Sequence, residues 1–369
     1  MVSSAISSTW ERNIAMLRTF IANHPNIEIM KDLIVIPAIY RKEFYNLFDM
    51  ASTSFLANKF KEEIAKAKSL SKSYTGVEKA ILSISELKNI KMLSEIDLFL
   101  HRPDYAIARK IKQPLFDLLS NDISEFDFKE KATKIIEESL KKLDPDAYVI
   151  WSALSLINLL EPDRFFRVSL FNLQFIDNTF HDGMEKQVPI PEKTDTITFE
   201  HANAVFIVAD IIFFSELINQ YVAIKVRPAK ASTQAETVTS KKEWLELNKN
   251  AFIKPDILVY FDKKLDNLNL IADSTRVLKP DLLIECIDVN SILPQRLDGI
   301  INTILTFPPT IQTFLLSVDR IGLTQTKNNN EFFDNPSQNN SLTLLTTGYD
   351  SSTLKSITRF IEDNFKKKQ

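Results

Sequence analysis

Two short apolar runs, each opened by the tripeptide Lys-Pro-Asp, constrain the fold of this chain more than any other feature. Residues 254–261 read Lys-Pro-Asp-Ile-Leu-Val-Tyr-Phe, and residues 279–288 read Lys-Pro-Asp-Leu-Leu-Ile-Glu-Cys-Ile-Asp. Proline lacks a backbone N–H and is tolerated at the start of a strand, while β-branched and aromatic residues favour the strand that follows. The pattern therefore predicts strands at 257–261 and 282–287.

Glycine is scarce, and its positions disfavour several classes of nucleotide-binding protein. The five glycines among 369 residues lie far apart, at positions 76, 183, 299, 322 and 348. Loops that cradle phosphate groups need clustered glycines so that backbone N–H groups can approach the phosphates. A P-loop NTPase, a Rossmann dehydrogenase and a protein kinase are therefore all disfavoured.

The composition is that of a globular protein with a near-neutral charge. Apolar residues make up 44% of the chain, charged residues make up 25%, and the formal net charge is −3. Such a chain has no global positive field, so any binding of nucleic acid must use a local patch. The length allows two domains with separate cores.

The sequence favours the cytoplasm as the compartment. Cys286 is the one cysteine, which excludes an intramolecular disulfide framework and a cysteine-rich zinc site. The first ten residues lack the basic and apolar regions of a signal peptide. The longest apolar stretch, 204–214, is interrupted by Asp210 and is too short to span a bilayer. We therefore expect a cytoplasmic protein with no membrane partner.

Hydrophobic periodicity divides the chain into a helical half and an α/β half. Apolar residues recur at three- and four-residue spacing through residues 1–185, which predicts a helical domain. Within it, a helix pair is predicted to break near residues 74–76. A second helix is predicted to begin after Ser124 and to end at residues 144–145. The segment 186–199, short of core residues and containing two prolines, predicts a linker.

The second half, residues 200–369, predicts an α/β domain on a small mixed sheet, in the order α-β-β-β-α-β followed by a further strand and helix. The predicted helices lie at 200–220, 294–305 and 351–365, and the predicted strands at 221–226, 257–261, 282–287, 313–318 and 342–346. With the helical half included, the fold class is α+β.

Two carboxylates fall on the predicted strands where they can share a divalent cation. Asp256 stands at the mouth of one strand, and Glu285 lies inside the next, within Leu-Leu-Ile-Glu-Cys-Ile. A carboxylate in such a run is costly to bury unless it is paired or bound to a ligand. Hydrolysis of a phosphodiester needs a hard cation on oxygen ligands, an activated water and a positive group near the phosphate. The two acids are therefore candidate ligands for Mg²⁺ or Mn²⁺, with Asp281 as an alternative.

On these residues the C-terminal half resembles the PD-(D/E)XK, or restriction-endonuclease-like, nuclease superfamily. That family has an α-β-β-β-α-β core, an acidic residue in the first helix, Pro-Asp at the second strand, and Glu or Asp, any residue, then Lys on the third. The resemblance covers residues 200–320 and rests on Asp256 with its preceding proline and on Glu285. It implies that Glu216 is the upstream acid, that Gln295 is a supporting residue, and that the bound metal is Mg²⁺ or Mn²⁺.

The family's motif lysine is replaced by Ile287, and three explanations remain open. The first is that the lysine has moved, with Lys225, Lys254 and Lys279 as candidates. The second is that the site has lost catalysis and the fold is kept for binding. The third is that Pro-Asp merely begins two strands whose carboxylates cap turns.

Two function classes follow from these explanations. One is a metal-dependent nuclease that cleaves DNA, or RNA as the alternative, in defence or DNA processing. Its helical half would grip nucleic acid or a partner subunit. The other is a non-enzymatic module in which the helical half binds nucleic acid, a protein partner or a second copy of the chain. The near-neutral charge and Ile287 favour the second class, whereas the apolar setting of Glu285 favours the first.

Overall fold

The structure is a computed structural model that describes most of the chain in nine segments. These are residues 9–30, 33–84, 87–168, 191–199, 208–226, 255–269, 278–287, 309–319 and 342–366. By its internal contacts the chain forms two compact units. The first combines Met1–Thr75 with Ser94–Ala147, and the second combines Gly76–Leu93 with Tyr148–Gln369.

Helices dominate the first unit, and two of them continue into the second. The helices are α1 (Thr9–Ala22), α2 (Ala38–Lys59), α3 (Lys61–Leu82), α4 (Ser94–His101), α5 (Pro103–Ala108), α6 (Lys112–Leu119), α7 (Glu125–Leu159) and α8 (Lys355–Lys366). Trp10 stacks on Phe128 with ring centroids 5.7 Å apart, which packs α1 against α7 in the core of the helical unit. A helical region near the N-terminus is thereby confirmed.

Two predicted helix ends in this region are wrong. Helix α3 continues through Gly76, although glycine costs about 1 kcal/mol in a helix interior. Helix α7 continues through Pro145 for a total of 35 residues. The residues after the proline, including Trp151, are almost fully buried, and their burial offsets the roughly 3 kcal/mol that an interior proline costs. Ser124 does cap this helix, since its Oγ accepts from the Asp127 N–H at 3.1 Å.

The strands lie mainly in the second unit. They are β1 (Glu28–Met30), β2 (Leu33–Val35), β3 (Asn89–Lys91), β4 (Pro162–Val168), β5 (Pro191–Lys193), β6 (Thr196–Thr198), β7 (Ile211–Ser215), β8 (Gln220–Val226), β9 (Ile257–Asp262), β10 (Leu282–Ile287), β11 (Gln312–Ser317) and β12 (Leu342–Thr346). The last five of these agree with the predicted strands to within one residue. The predicted helix at 351–365 corresponds to a short 3-10 turn followed by α8. The predicted helix at 294–305 lies outside the described residues.

Eight of the described strands form one mixed sheet, in the order β12-β11-β10-β9-β8-β7-β4-β5. Strands β8, β9 and β10 form an antiparallel meander. Strands β10, β11 and β12 are parallel to one another, so the chain crosses over between them. A separate pair, β3 and β6, is parallel. The sheet is therefore larger than the sequence predicted.

The predicted helix at 200–220 and the predicted linker at 186–199 both need correction. Residues 211–215 are the strand β7, which pairs with β4 on one side and β8 on the other. An inner strand that is covered on both faces reads as a continuous apolar run, and over a few residues periodicity does not distinguish it from a buried helix. Residues 191–199 contain β5 and β6, and the chain passes between the two units inside α3, at the start of α4 and inside α7.

The two faces of the sheet carry different neighbours. On one face Ile212, Ala223, Leu258, Leu283 and Leu315 belong to a buried apolar cluster. The other face packs against helices. There the thiol of Cys286 lies 3.8 Å from the Ser152 hydroxyl of α7, and the ring of Phe314 contacts that of Phe360 in α8. In the described part of the chain, no helix is long and apolar enough to cross a membrane.

Candidate functional site

The register of β9 and β10 places Asp256 opposite Glu285. Ile257 pairs with Ile284, so the next opposed positions are those of the two acids. Directly opposed residues on antiparallel strands have Cβ atoms roughly 4.5–5.5 Å apart, and their side chains lie on one face of the sheet. The Cys286 N–H donates to Asp256 Oδ2 at 2.8 Å, which anchors this carboxylate against β10. The structure therefore brings the two predicted ligands together.

Both carboxylates are buried, each with 6% of its surface exposed. Their positions follow from the sequence. Pro255, which is buried, precedes β9, so Asp256 lies at the start of that strand. From there its side chain reaches the backbone of β10. Glu285 shares its face with Leu283 and Ile287, because alternate residues of a strand point the same way. The acids thus lie beside the apolar residues Leu258, Leu283 and Ile287 of the same face.

Lys225 joins the same face from β8. It pairs with Leu258, two residues beyond Asp256 on β9, and is therefore a diagonal neighbour of that acid. Diagonal neighbours lie roughly 7–8 Å apart, within reach of a lysine side chain. Of the two candidates for the missing lysine that the structure describes, Lys225 and Lys279, it is Lys225 that lies beside the acids.

Asp210, which our reading of the sequence did not assign to the site, pairs with Lys225. The Lys225 ammonium lies 2.7 Å from Asp210 Oδ1, and the Val226 N–H donates to Asp210 Oδ2 at 2.7 Å. The side chains are 7% and 5% exposed. The signal was present in the sequence, since Asp210 is the single charge that interrupts the apolar stretch 204–214. A buried charge needs a partner, and Lys225 supplies it.

Two predicted site residues lie elsewhere. Glu216 is in the turn between β7 and β8, and exposed Lys279 precedes β10. Both residues lie at the end of the sheet opposite to the end where Asp256 is found. At about 3.3 Å per residue along a strand, the separation is roughly 20 Å. Glu216 was assigned to a helix that the structure replaces by a strand and a turn, so its predicted place beside the metal was wrong. Lys254 and Gln295 lie outside the described residues.

Asp281 belongs to the start of its strand. Its Oδ2 accepts from the Phe261 N–H at 2.8 Å, and its Oδ1 accepts from the Thr310 hydroxyl at 2.5 Å. These bonds tie the start of β10 to the end of β9 and to the segment before β11. Asp281 thus stabilises strand ends, at the far end of β10 from Glu285.

Ile287 occupies the position where the resemblance implies a lysine. It is 2% exposed and belongs to the apolar cluster that includes Leu283 and Leu315. The position is therefore filled by packing, and Lys225, the described lysine near the acids, comes from β8.

The donor chemistry fits a magnesium ion only with help from water. Mg²⁺ commonly takes one or two protein carboxylates and completes its octahedron with water and phosphate oxygens. Asp256 and Glu285 match that set. Across the described residues there is no cluster of three or more His, Cys, Asp or Glu side chains placed to hold a metal ion. The arrangement is thus a two-carboxylate site rather than a closed protein cage.

The comparisons with known proteins add no information on the site, so its interpretation rests on its geometry. A scan of family models, a search of curated proteins and a search of solved structures each gave no match.

Proposed function

We propose that the protein is a metal-dependent nuclease that hydrolyses phosphodiester bonds in nucleic acid, with DNA as the first substrate to test. The observation that carries the proposal is the opposition of Asp256 and Glu285 at the end of β9 and β10, with Lys225 diagonal to them on the same face. Two acids and a lysine are the smallest set of side chains that this hydrolysis needs.

The strand order supports the same proposal. Three strands that are neighbours in the sheet and antiparallel, β8, β9 and β10, are followed in the sheet by a parallel neighbour, β11. This agrees with the three strands and crossover of a restriction-endonuclease-like core, with the Pro-Asp element on the second strand and Glu285 on the third. One departure is that the element before β8 is the strand β7, where the resemblance implies a helix.

Each residue of the site has a separate role in this proposal. Asp256 and Glu285 would hold Mg²⁺ or Mn²⁺, which when bound activates a water and polarises the phosphate. Lys225 would offset negative charge on the phosphate, in place of the absent motif lysine. Asp210 orients the Lys225 ammonium at 2.7 Å. The Cys286 N–H holds the Asp256 carboxylate against the end of β10.

A second candidate function is a non-catalytic binding module on the same fold. Two observations favour it: Ile287 is packed in an apolar cluster, and the ammonium of Lys225 already lies in an ion pair. The predicted contribution of the helical region to partner binding stays a prediction. Its support is a group of exposed apolar side chains on and beside β1 and β2, with Ile39 79% exposed.

The experiment that tests the nuclease is cleavage of labelled single- and double-stranded DNA and RNA with Mg²⁺ or Mn²⁺. The variants are Asp256→Asn and Glu285→Gln, which keep side-chain size. Asp256→Asn also retains an oxygen that can accept the Cys286 N–H. Asp262→Asn is the matched control, because it makes the same change at the opposite end of β9. Binding of Mn²⁺, followed by electron paramagnetic resonance, is measured on all four proteins.

We expect metal-dependent cleavage by the wild type and by Asp262→Asn, with loss of at least about 100-fold in each site variant, as typical for removal of a group that acts on the transition state. Mn²⁺ binding should weaken in the same two variants. Absence of cleavage by the wild type on every substrate would reject the nuclease and leave the binding module.

A further inference from the structure

A basic cleft lies in the second unit, at the β5 edge of the large sheet. Its volume is about 550 Å³, and the described residues that line it include four basic side chains, Lys88, Lys91, Arg167 and Lys193, against one acidic side chain, Asp195. The four basic residues are exposed to solvent. The cleft therefore concentrates positive charge in a chain whose formal net charge is −3.

The cleft is built by backbone pairing of segments that are distant in sequence. Strand β3 is parallel to β6, and β5 pairs with β4. The Lys88 N–H donates to the Asp195 carbonyl at 2.8 Å, and the Lys88 ammonium lies 3.0 Å from Asp195 Oδ2. These contacts hold Lys88 and Lys91 at the cleft, while β4 and β5 supply Arg167 and Lys193.

We propose that this cleft binds the phosphate backbone of the nucleic acid that the sheet cleaves. This inference rests on the proposed function, because the nuclease activity is the reason to choose nucleic acid over other polyanions. The lining consists of charged side chains and the hydroxyls of Thr194 and Thr196, which suit phosphate and sugar oxygens. Sequence-independent stacking needs aromatic side chains, so a cleft with this lining recognises backbone rather than bases. Binding should depend on salt and not on base sequence.

The position of the cleft fits a path toward the carboxylates. On β4, Phe166 pairs with Ile212 of β7 and with Lys193 of β5, so Lys193 shares the sheet face of the acids, while the adjacent Arg167 points to the other face near the end of the sheet where Asp256 is found. Three strand spacings separate β4 from β9, and the resulting distance from Arg167 to Asp256 is roughly 15–20 Å. Phosphates repeat about every 3.4 Å along each strand of a duplex. One strand could therefore touch the cleft about five nucleotides from the site.

The test is binding of labelled 20-residue oligonucleotides to the full chain in EDTA, measured by fluorescence anisotropy from about 50 to 300 mM salt. The cleft variant combines Lys91→Gln, Arg167→Gln and Lys193→Gln. The control variant combines Lys263→Gln, Lys264→Gln and Lys355→Gln, which removes three exposed charges of the second unit that lie outside the cleft lining and gives the same net charge. Circular dichroism melts check the folding of both proteins.

We expect the cleft variant to bind more weakly and to lower the slope of log K against log salt by about 2–3, since each lost phosphate contact lowers it by about 1. The control variant should bind as the wild type does, and affinity should not change between mixed, thymine-only and adenine-only single strands. Equal weakening in both variants would overturn the proposal, because net charge alone would then explain binding. A wild type that binds no oligonucleotide, or that binds polyglutamate equally well, would also overturn it.

The binding and cleavage experiments distinguish failure of the cleft proposal from failure of the nuclease proposal. Salt-dependent binding that is lost in the cleft variant, without cleavage by the wild type, would retain the cleft and reject the nuclease. Cleavage by the wild type that the cleft variant matches in rate and in KM would retain the nuclease and reject the cleft.

Discussion

Two ion pairs in the same unit have similar lengths and opposite surroundings. Lys225 and Asp210 lie 2.7 Å apart with side chains 7% and 5% exposed, and Lys88 and Asp195 lie 3.0 Å apart with side chains 78% and 48% exposed. The first pair sits at the end of the sheet beside the carboxylates, and the second lines the basic cleft. Distance alone would rank them as equals.

The two ion pairs differ in burial, and therefore in their energetics and in the roles they can have. Charges removed from water must be matched, so loss of one member of a buried pair leaves the other at a large cost. Charges that remain in water interact weakly, are screened by salt and exchange partners readily. A buried pair can therefore fix the geometry of a catalytic lysine, whereas an exposed pair can open for a phosphate.

The largest effect is expected from Lys225→Met, which leaves the Asp210 carboxylate buried without its ammonium partner. We expect a loss of about 3–5 kcal/mol in the stability of the second unit. Hydrogen exchange at the amides of β7 and β8 in a urea series measures that unit separately from the helical one. Addition of Asp210→Asn to this variant should recover at least half of the loss, because the amide is neutral and still accepts the Val226 N–H.

The matched control is Lys88→Met, the same substitution at the exposed pair. Its exchange rates in β7 and β8 should equal those of the wild type. If both methionine variants destabilise the sheet to a similar degree, burial does not distinguish the pairs and the contrast fails.

A smaller effect is expected at Asp256, whose carboxylate has both a structural and a proposed catalytic use. Asp256→Ala leaves the buried Cys286 N–H without this acceptor and should cost about 1–3 kcal/mol. Asp256→Asn retains an acceptor oxygen and should cost less. Urea denaturation of the two variants beside the wild type measures the difference. Equal stability of Asp256→Ala and wild type would show that the hydrogen bond does not hold the strand end.

The sequence predicted the sheet around the site better than it predicted the region before it. Strands β9 and β10 were located because Lys-Pro-Asp marks their starts and their apolar runs are short. The segment 211–215 was assigned to a helix, since an inner strand and a buried helix both read as continuous apolar residues. The assignment of this segment as a strand depends on the pairing of β7 with β4. That pairing joins residues almost fifty positions apart in the sequence, so no local pattern indicates it.

The site was predicted in the same uneven way. Asp256 and Glu285 were found because a carboxylate in an apolar context is unusual, and Lys225 was one of three lysines that the residues alone could not separate. Only the register of β8 against β9 separates it from Lys279. Asp210 was missed because its role depends on a partner fifteen residues away. The basic cleft was missed for a similar reason, since its cations come from segments that no periodicity connects.

The smallest effect concerns the exposed pair and is expected in a titration rather than in stability. A hydrogen bond from the Lys88 side chain, together with one from the Thr196 hydroxyl, holds the pKa of Asp195 below its usual range. Any stabilisation from this carboxylate is thus present above its ordinary pKa and is lost as the pH falls through the lowered value. In Lys88→Met the pKa should rise only part of the way, because Thr196 still donates. Carbon-13 NMR of the Asp195 carboxyl group measures it, and 1 M salt should move the wild-type value in the same direction. An unchanged pKa in the variant would mean that the two side chains do not interact in solution, and the view of the pair as a weak, exchangeable contact would lose its basis.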